Sequence, residues 1–179
     1  MSNLSNNFIA GDWVKGASFI SNINPSNTND VIGEFAQASN SQLEDALNSA
    51  QAAQRQWTAT GLEQRQAVLM KIGEEMMARS SELGELLSRE EGKPVAEGKG
   101  EVYRAGQFFT YYAAEVLRQS GDTADSVRPG IEIDVRREPM GTVAIISPWN
   151  FPTATASWKI APALAVSYTH LTLPTILLV

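Results

Sequence analysis

Asn150 sits at the end of an apolar run, in Ile145-Ile146-Ser147-Pro148-Trp149-Asn150-Phe151-Pro152, and Lys159 follows nine residues later. A side-chain amide held at the end of a strand can donate to an oxygen that turns negative during a reaction. A lysine on the next helix supplies a point charge for a ribose or a phosphate. Trp149, Phe151 and Trp158 could wall an apolar pocket around that chemistry. On spacing alone each residue has a plainer reading: a loop-bracing asparagine, a surface lysine and core aromatics. Residue types exclude much else. The chain has no Cys, so it offers no thiolate nucleophile, thiolate metal ligand or disulfide, and its one His cannot form a multi-His metal cluster. Gly92-Lys93 is followed by Pro94 and not by Ser or Thr, so it is not a phosphate-cradling Walker loop. Gly98-x-Gly100 has Tyr103 where a dinucleotide fingerprint needs its third glycine. The pairs Glu74-Glu75 and Glu90-Glu91 read as solvated helix faces.

The elements that must position Asn150 follow from pattern. Thr142 to Ile146 is a continuous β-branched run, expected of a strand buried on both faces. A helix is expected over Thr153 to Ala161. Strand, loop and helix together open a parallel α/β sheet, in which ligands bind beyond the carboxyl ends of strands. Upstream, Phe8–Val14 and Phe19–Ile23 read together as a small hairpin, with a turn at Asn24-Pro25-Ser26-Asn27 and another short strand over Val31–Ala36. Ser41 and Glu44 fit a capping box that starts a helix with Leu43, Ala46, Leu47, Ala50 and Trp57 inward. A second stripe, Leu69, Ile72, Met76, Leu83, Leu86 and Leu87, restarts near Ser80-Ser81 and stops at Gly92-Lys93-Pro94. A third helix turns Val102, Ala105, Phe109, Tyr112, Ala113 and Val116 inward and ends at Gly121. Its Gly98, Gly100 and Gly106 imply close helix packing. Ile131, Ile133 and Val135 alternate with Glu132, Asp134 and Arg136, a strand with one wet face.

The 179 residues are 43% hydrophobic and carry a formal charge of -6, the size and composition of an ordinary globular domain. The acidic balance argues against a nucleic-acid partner. No apolar run approaches the roughly 20 residues a membrane span needs, and Met1–Ala10 lacks the basic start of a signal peptide, so a cytoplasmic protein is expected. Val166–Val179 contains no charged residue and reads as a foreign or frayed tail, with a short buried terminal strand as the competing reading.

Pro148-Trp149-Asn150-Phe151-Pro152 followed by Trp158-Lys159-Ile160-Ala161-Pro162-Ala163-Leu164-Ala165 resembles the NAD(P)-dependent aldehyde dehydrogenase superfamily. Phe8-Ile9-Ala10-Gly11-Asp12-Trp13, Asn24-Pro25, Glu90-Glu91-Gly92-Lys93-Pro94 and Arg136-Arg137-Glu138-Pro139-Met140-Gly141 agree with it, so the resemblance runs over about residues 7–165. The stretches Gly61–Leu69, Ala105–Glu115 and Gly121–Gly130 are most similar to its α-ketoglutaric semialdehyde (2,5-dioxopentanoate) dehydrogenases.

The resemblance implies an α/β fold: helices plus the start of a Rossmann-like parallel sheet, with a projecting oligomerisation strand. Residues 1–125 would begin the cofactor-binding domain, and 126–139 would form the oligomerisation arm. Residues 140–165 would supply the first strand, loop and helix of the nucleotide-binding sheet, and 166–179 would be a non-native tail. It implies oxidation of a small aldehyde to a carboxylate with NAD or NADP, in a homodimer or homotetramer. Asn150 matches the oxyanion-hole asparagine. Ile146, Ser147, Pro148 and Trp149, with Asn150 itself, match the loop against the dinucleotide, and Lys159 matches the lysine near the adenosine ribose, a charge-relay position. Phe151 and Trp158 match aromatics of the aldehyde tunnel. The family's Cys nucleophile and Glu base are expected beyond Ala165, so this chain alone is expected to be inactive. With a single parallel strand left unpaired at both edges, it is also expected to be aggregation-prone or partly molten. The alternative is a non-catalytic truncated paralogue, an interaction module that pairs through the Ile131–Glu138 strand.

Overall fold

The computed structural model describes residues 4–118, 120–136, 138–166 and 169–172. Ala10 and Gly11 both take positive φ, 56° and 93°, which closes a tight hairpin between β2 (Asn7–Ile9) and β3 (Asp12–Val14). Phe8 and Trp13 face each other across it, ring centroids 5.1 Å apart. The first β-prone run thus folds on itself and does not pair with Phe19–Ile23, as the sequence suggested. β4 (Ser18–Ile23) instead pairs antiparallel with β5 (Val31–Gln37), and β1 (Leu4–Ser5) adds parallel to the other edge of β5. Asn24 builds the connecting turn, its side chain accepting from the Ser26 amide at 2.9 Å.

α1 (Asn40–Ala59) is capped by Ser39 with Gln42, two residues earlier than the Ser41–Glu44 pair. Both pairs fit the same spacing rule; Ser39 prevails because Gln42 Oε1 reaches back to the Ser39 amide at 3.0 Å. No residue of α1 is fully buried, so its expected inward stripe is only half covered. α2 (Leu62–Ala78) and α3 (Ser80–Glu91) are separated by Arg79, which leaves helical geometry where the sequence restarts. Gly92 ends α3 in the left-handed region at φ 83°. α4 (Val95–Glu115) continues into a 3-10 turn, Val116–Arg118, so Gly121 is not its cap. An added Cβ at Gly121 would lie 2.2 Å from the Val135 carbonyl oxygen, and that close approach is what requires glycine there.

The core lies between α2, α4 and α5 (Pro152–Ala165): Leu69, Phe109, Ala113, Val116, Ala161 and Ala165. Gly98 packs on the Gly84 carbonyl and Gly106 on that of Gly73, while Gly100 has open space around it. Close packing therefore explains two of the three α4 glycines. No helix among the described residues is long and apolar enough to cross a membrane.

β6 (Asp122–Asp125) and β7 (Glu132–Val135) form an antiparallel ribbon. Every residue of β7 is exposed, so neither face is covered, in place of the single wet face expected from the alternation. β8 (Thr142–Ile145) pairs parallel with β9 (Thr169–Thr172), Thr142 opposite Thr169. The strand expected to stand unpaired therefore has a partner. It is not buried on both faces, since Ala144 is exposed and only Ile145 is buried. A strand is present over residues 169–172, as the competing reading expects. Residues 167–168 and 173–179 of the suspected tail lie outside the described residues.

Candidate functional site

β8 delivers the chain to the loop Ile146–Phe151, and α5 carries it away. Pro152 takes the first helical position, where its missing N–H costs nothing. Phe151 at the N-cap offers no side-chain oxygen, so the opening amides of α5 need an acceptor from elsewhere. Glu101 of α4 provides it. Its Oε1 accepts from the Thr153 amide at 2.9 Å and the Ala154 amide at 3.1 Å. The far end of α5 is held too: the Leu164 carbonyl accepts from Trp57 Nε1 at 3.0 Å and the Ala165 carbonyl from Arg65 Nη1 at 3.1 Å. Arg65 is buried, and that burial pushes its guanidinium below the usual arginine value.

The other Glu101 oxygen meets Lys93 Nζ at 2.6 Å, and both side chains are nearly closed to solvent, 2% and 9% exposed. Lys93 also faces Glu91 at 2.8 Å, donates to the Asn150 carbonyl at 3.1 Å and lies 4.4 Å over the Phe151 ring. Burial works against the Lys93 ammonium, but the hydrogen bonds to Glu101 and Glu91 outweigh it and hold the group above the usual lysine value. One buried ion pair thus grips residues 150, 151, 153 and 154 in succession.

The predicted site residues fall into two groups. Lys159 returns from α5 to Ser147, Nζ to Oγ 3.3 Å, and Ser147 is buried while Lys159 is exposed. Ile146, Pro148 and Trp149 are exposed beside them. Asn150 and Phe151 form the second group, joined through Lys93. The Asn150 backbone is fixed, yet its carboxamide has no hydrogen-bond partner among the described residues and faces solvent. Trp158 packs on Phe108, centroids 5.4 Å apart, with the Arg104 guanidinium 5.1 Å over the same Phe108 ring. No ring contact joins Trp149 to Phe151 or Trp158 among the described residues.

Lys93, Glu101 and Glu91 were not singled out as site residues by sequence reasoning. The sequence places Glu91 on a solvated face, but its side chain is 17% exposed and paired with Lys93. Its neighbour Glu90 accepts from Asn22 Nδ2 at 2.9 Å, and burial raises its carboxyl above the ordinary range. The available signal was a lysine placed directly after a helix-stopping glycine, which points it back toward the helices.

Chemically, the arrangement presents a carboxamide donor on a fixed backbone, an ammonium with a hydroxyl beside it, and exposed aromatic faces. Residues 13–175 match the model of the aldehyde dehydrogenase family. The chain is 33% identical to an α-ketoglutarate semialdehyde dehydrogenase of Haloferax volcanii, covering 94% of this chain and 36% of that protein. It is 36% identical to an α-ketoglutaric semialdehyde dehydrogenase of Bacillus subtilis, covering 91% of this chain and 34% of that protein. The fold superposes with a TM-score of 0.89 and 30% identity on a betaine aldehyde dehydrogenase double mutant from Staphylococcus aureus in complex with NAD+, over 94% of this chain and 34% of that one. The chain spans about a third of the length of the curated relatives it matches.

Proposed function

The chain belongs to the aldehyde dehydrogenase family, and from that premise we propose that it supplies the oxyanion donor and the dinucleotide-facing loop of an enzyme oxidising α-ketoglutaric semialdehyde to the carboxylate with NAD or NADP. The observation that carries this reading is Asn150 itself: its backbone is clamped at a strand's carboxyl end, and its carboxamide is left available. The Asn150 amide donates to the aldehyde oxygen as it becomes an oxyanion. Phe151 and Trp158 line the approach and keep water from it. Lys159 and the Ser147 hydroxyl hold ribose hydroxyls, while Ile146, Pro148 and Trp149 lie against the dinucleotide. The residues present fit that group at its ribose end. The α5 amides do not serve its phosphates, because Glu101 already occupies them. When bound, the nicotinamide accepts the hydride. The thiolate that adds to the aldehyde and the base that activates water come from outside these 179 residues, which contain no Cys. The exposed β6–β7 ribbon supports pairing between subunits, as a homodimer or homotetramer. The same ribbon supports the second reading, a non-catalytic interaction module.

A chimera tests the first reading. Residues 13–165 replace the matching segment of the Bacillus subtilis relative. The chimera is expected to form reduced nicotinamide from α-ketoglutaric semialdehyde. Asn150→Ala should lower kcat by about 10²–10³ with the KM for dinucleotide unchanged, whereas Lys159→Ala should raise that KM. A folded, dinucleotide-binding chimera whose kcat ignores Asn150→Ala would overturn the assignment.

A further inference from the structure

We infer that Lys93 and Glu101 are positioning residues that hold Asn150 and the first turn of α5 in reactive geometry. The inference rests on the oxyanion role proposed for Asn150. Burying two charges is costly, and a buried ion pair is weak evidence of stabilisation by itself. This pair, however, spends its remaining valences on one short segment. Lys93 holds the Asn150 carbonyl and the face of Phe151, and Glu101 holds the Thr153 and Ala154 amides. Among the described residues, Thr155 holds the Phe151 carbonyl only from within the same helix, Phe151 caps nothing with its side chain, and β8 ends at Ile145. An oxyanion donor works only if it is fixed before charge develops, and a displacement of about 1 Å costs on the order of 10²-fold in rate. The bond from Lys93 goes to the backbone of Asn150, so the carboxamide stays unconsumed. Glu101 places its negative charge where the positive end of the α5 dipole attracts it, and Lys93 neutralises it in turn.

The positioning is read without substrate or cofactor, by peptide-resolved hydrogen exchange on the full chain. In the wild type, the Thr153 and Ala154 amides should be protected to the same order as those of α4. Glu101→Ala should speed exchange at Thr153 and Ala154 by about tenfold, the loss of one hydrogen bond each. Glu101→Gln, which keeps an acceptor, should restore most of that protection. Lys93→Met, which leaves the Glu101 carboxylate without its cation, should speed exchange at Thr153 and Ala154 while α2 and the middle of α4 stay protected. Fast exchange at these two amides in the wild type would overturn the inference. So would loss of protection that spreads evenly through α2 and α4, the mark of general destabilisation. Separately, a chimera that is folded but inactive in the wild type would overturn the proposed function and leave the exchange result standing. An active chimera in which Lys93→Met leaves kcat unchanged would overturn the positioning role alone.

Discussion

Asp30 sits at the foot of β5, and Arg89 of α3 grips it with two hydrogen bonds, Nε to Oδ2 at 2.9 Å and Nη2 to Oδ1 at 2.7 Å. The Arg89 hydrogen bond first, then one from Asn24, lowers its carboxyl from 3.8 to about 2. The folded state therefore favours the ionised form. The contribution is complete above the unfolded value of 3.8 and is lost as pH falls through the folded value of about 2. Asp30→Asn should lower Tm near neutrality, and its difference from wild type should shrink between those two values. A constant difference across that window would show that the pair does not link the sheet to α3. At this scale the sequence is informative where a residue's partners lie in its own turn or loop, as with Asn24 and Gly92. It is silent on Lys93 and Glu101, whose partners lie 57 and 52 residues away along the chain. No local pattern reports which side chain will reach a distant helix end.

Among the elements, α4 shows what periodicity conveys and what it omits. Its inward stripe was legible, and Val102, Ala105, Phe109 and Ala113 are all buried. The glycines carried no such periodic label, and their roles divide. A Cβ at Gly98 would stand 2.3 Å from Ser88 Oγ and 2.4 Å from the Gly84 carbonyl oxygen, and the latter is backbone that cannot step aside. A Cβ at Gly100 meets nothing within 4 Å. Gly98→Ala should therefore cost about 1–3 kcal/mol by overpacking the α3–α4 contact. Gly100→Ala should stabilise by about 0.5–1 kcal/mol through helix propensity. Urea unfolding of the pair separates the effects, and a shared sign would refute the packing geometry. The strands were less legible because their pairing depends on chirality and turn geometry rather than composition. Ala10 and Gly11 at positive φ fold the first run onto itself, which left Ser18–Ile23 to find β5. The β7 alternation shows two chemically different faces, but nothing in the sequence states whether either one is covered.

In the whole molecule, burial is concentrated where α2, α4 and α5 meet, and it thins quickly outward. α1 buries no residue fully, and both faces of β7 are open. Phe8, Trp13, Met140, Ile146 and Trp149 are 62%, 70%, 88%, 66% and 56% exposed. Among the described residues β8 and β9 form a two-stranded sheet, and such a pair is marginal in water without further strands. With β8 paired, the lone strand no longer supports the expectation of an aggregation-prone or partly molten chain; exposed apolar surface on the periphery is the ground on which it stands as a prediction. The helical centre should resist exchange while β2–β3, the β6–β7 ribbon and the β8–β9 pair exchange fast. The chain should bind anilinonaphthalene sulfonate and sediment with a concentration-dependent mass. It should also form no reduced nicotinamide from α-ketoglutaric semialdehyde on its own, because it holds no thiol. A monodisperse monomer that ignores the dye and melts in one cooperative step would show that the central helices alone suffice to order the rest.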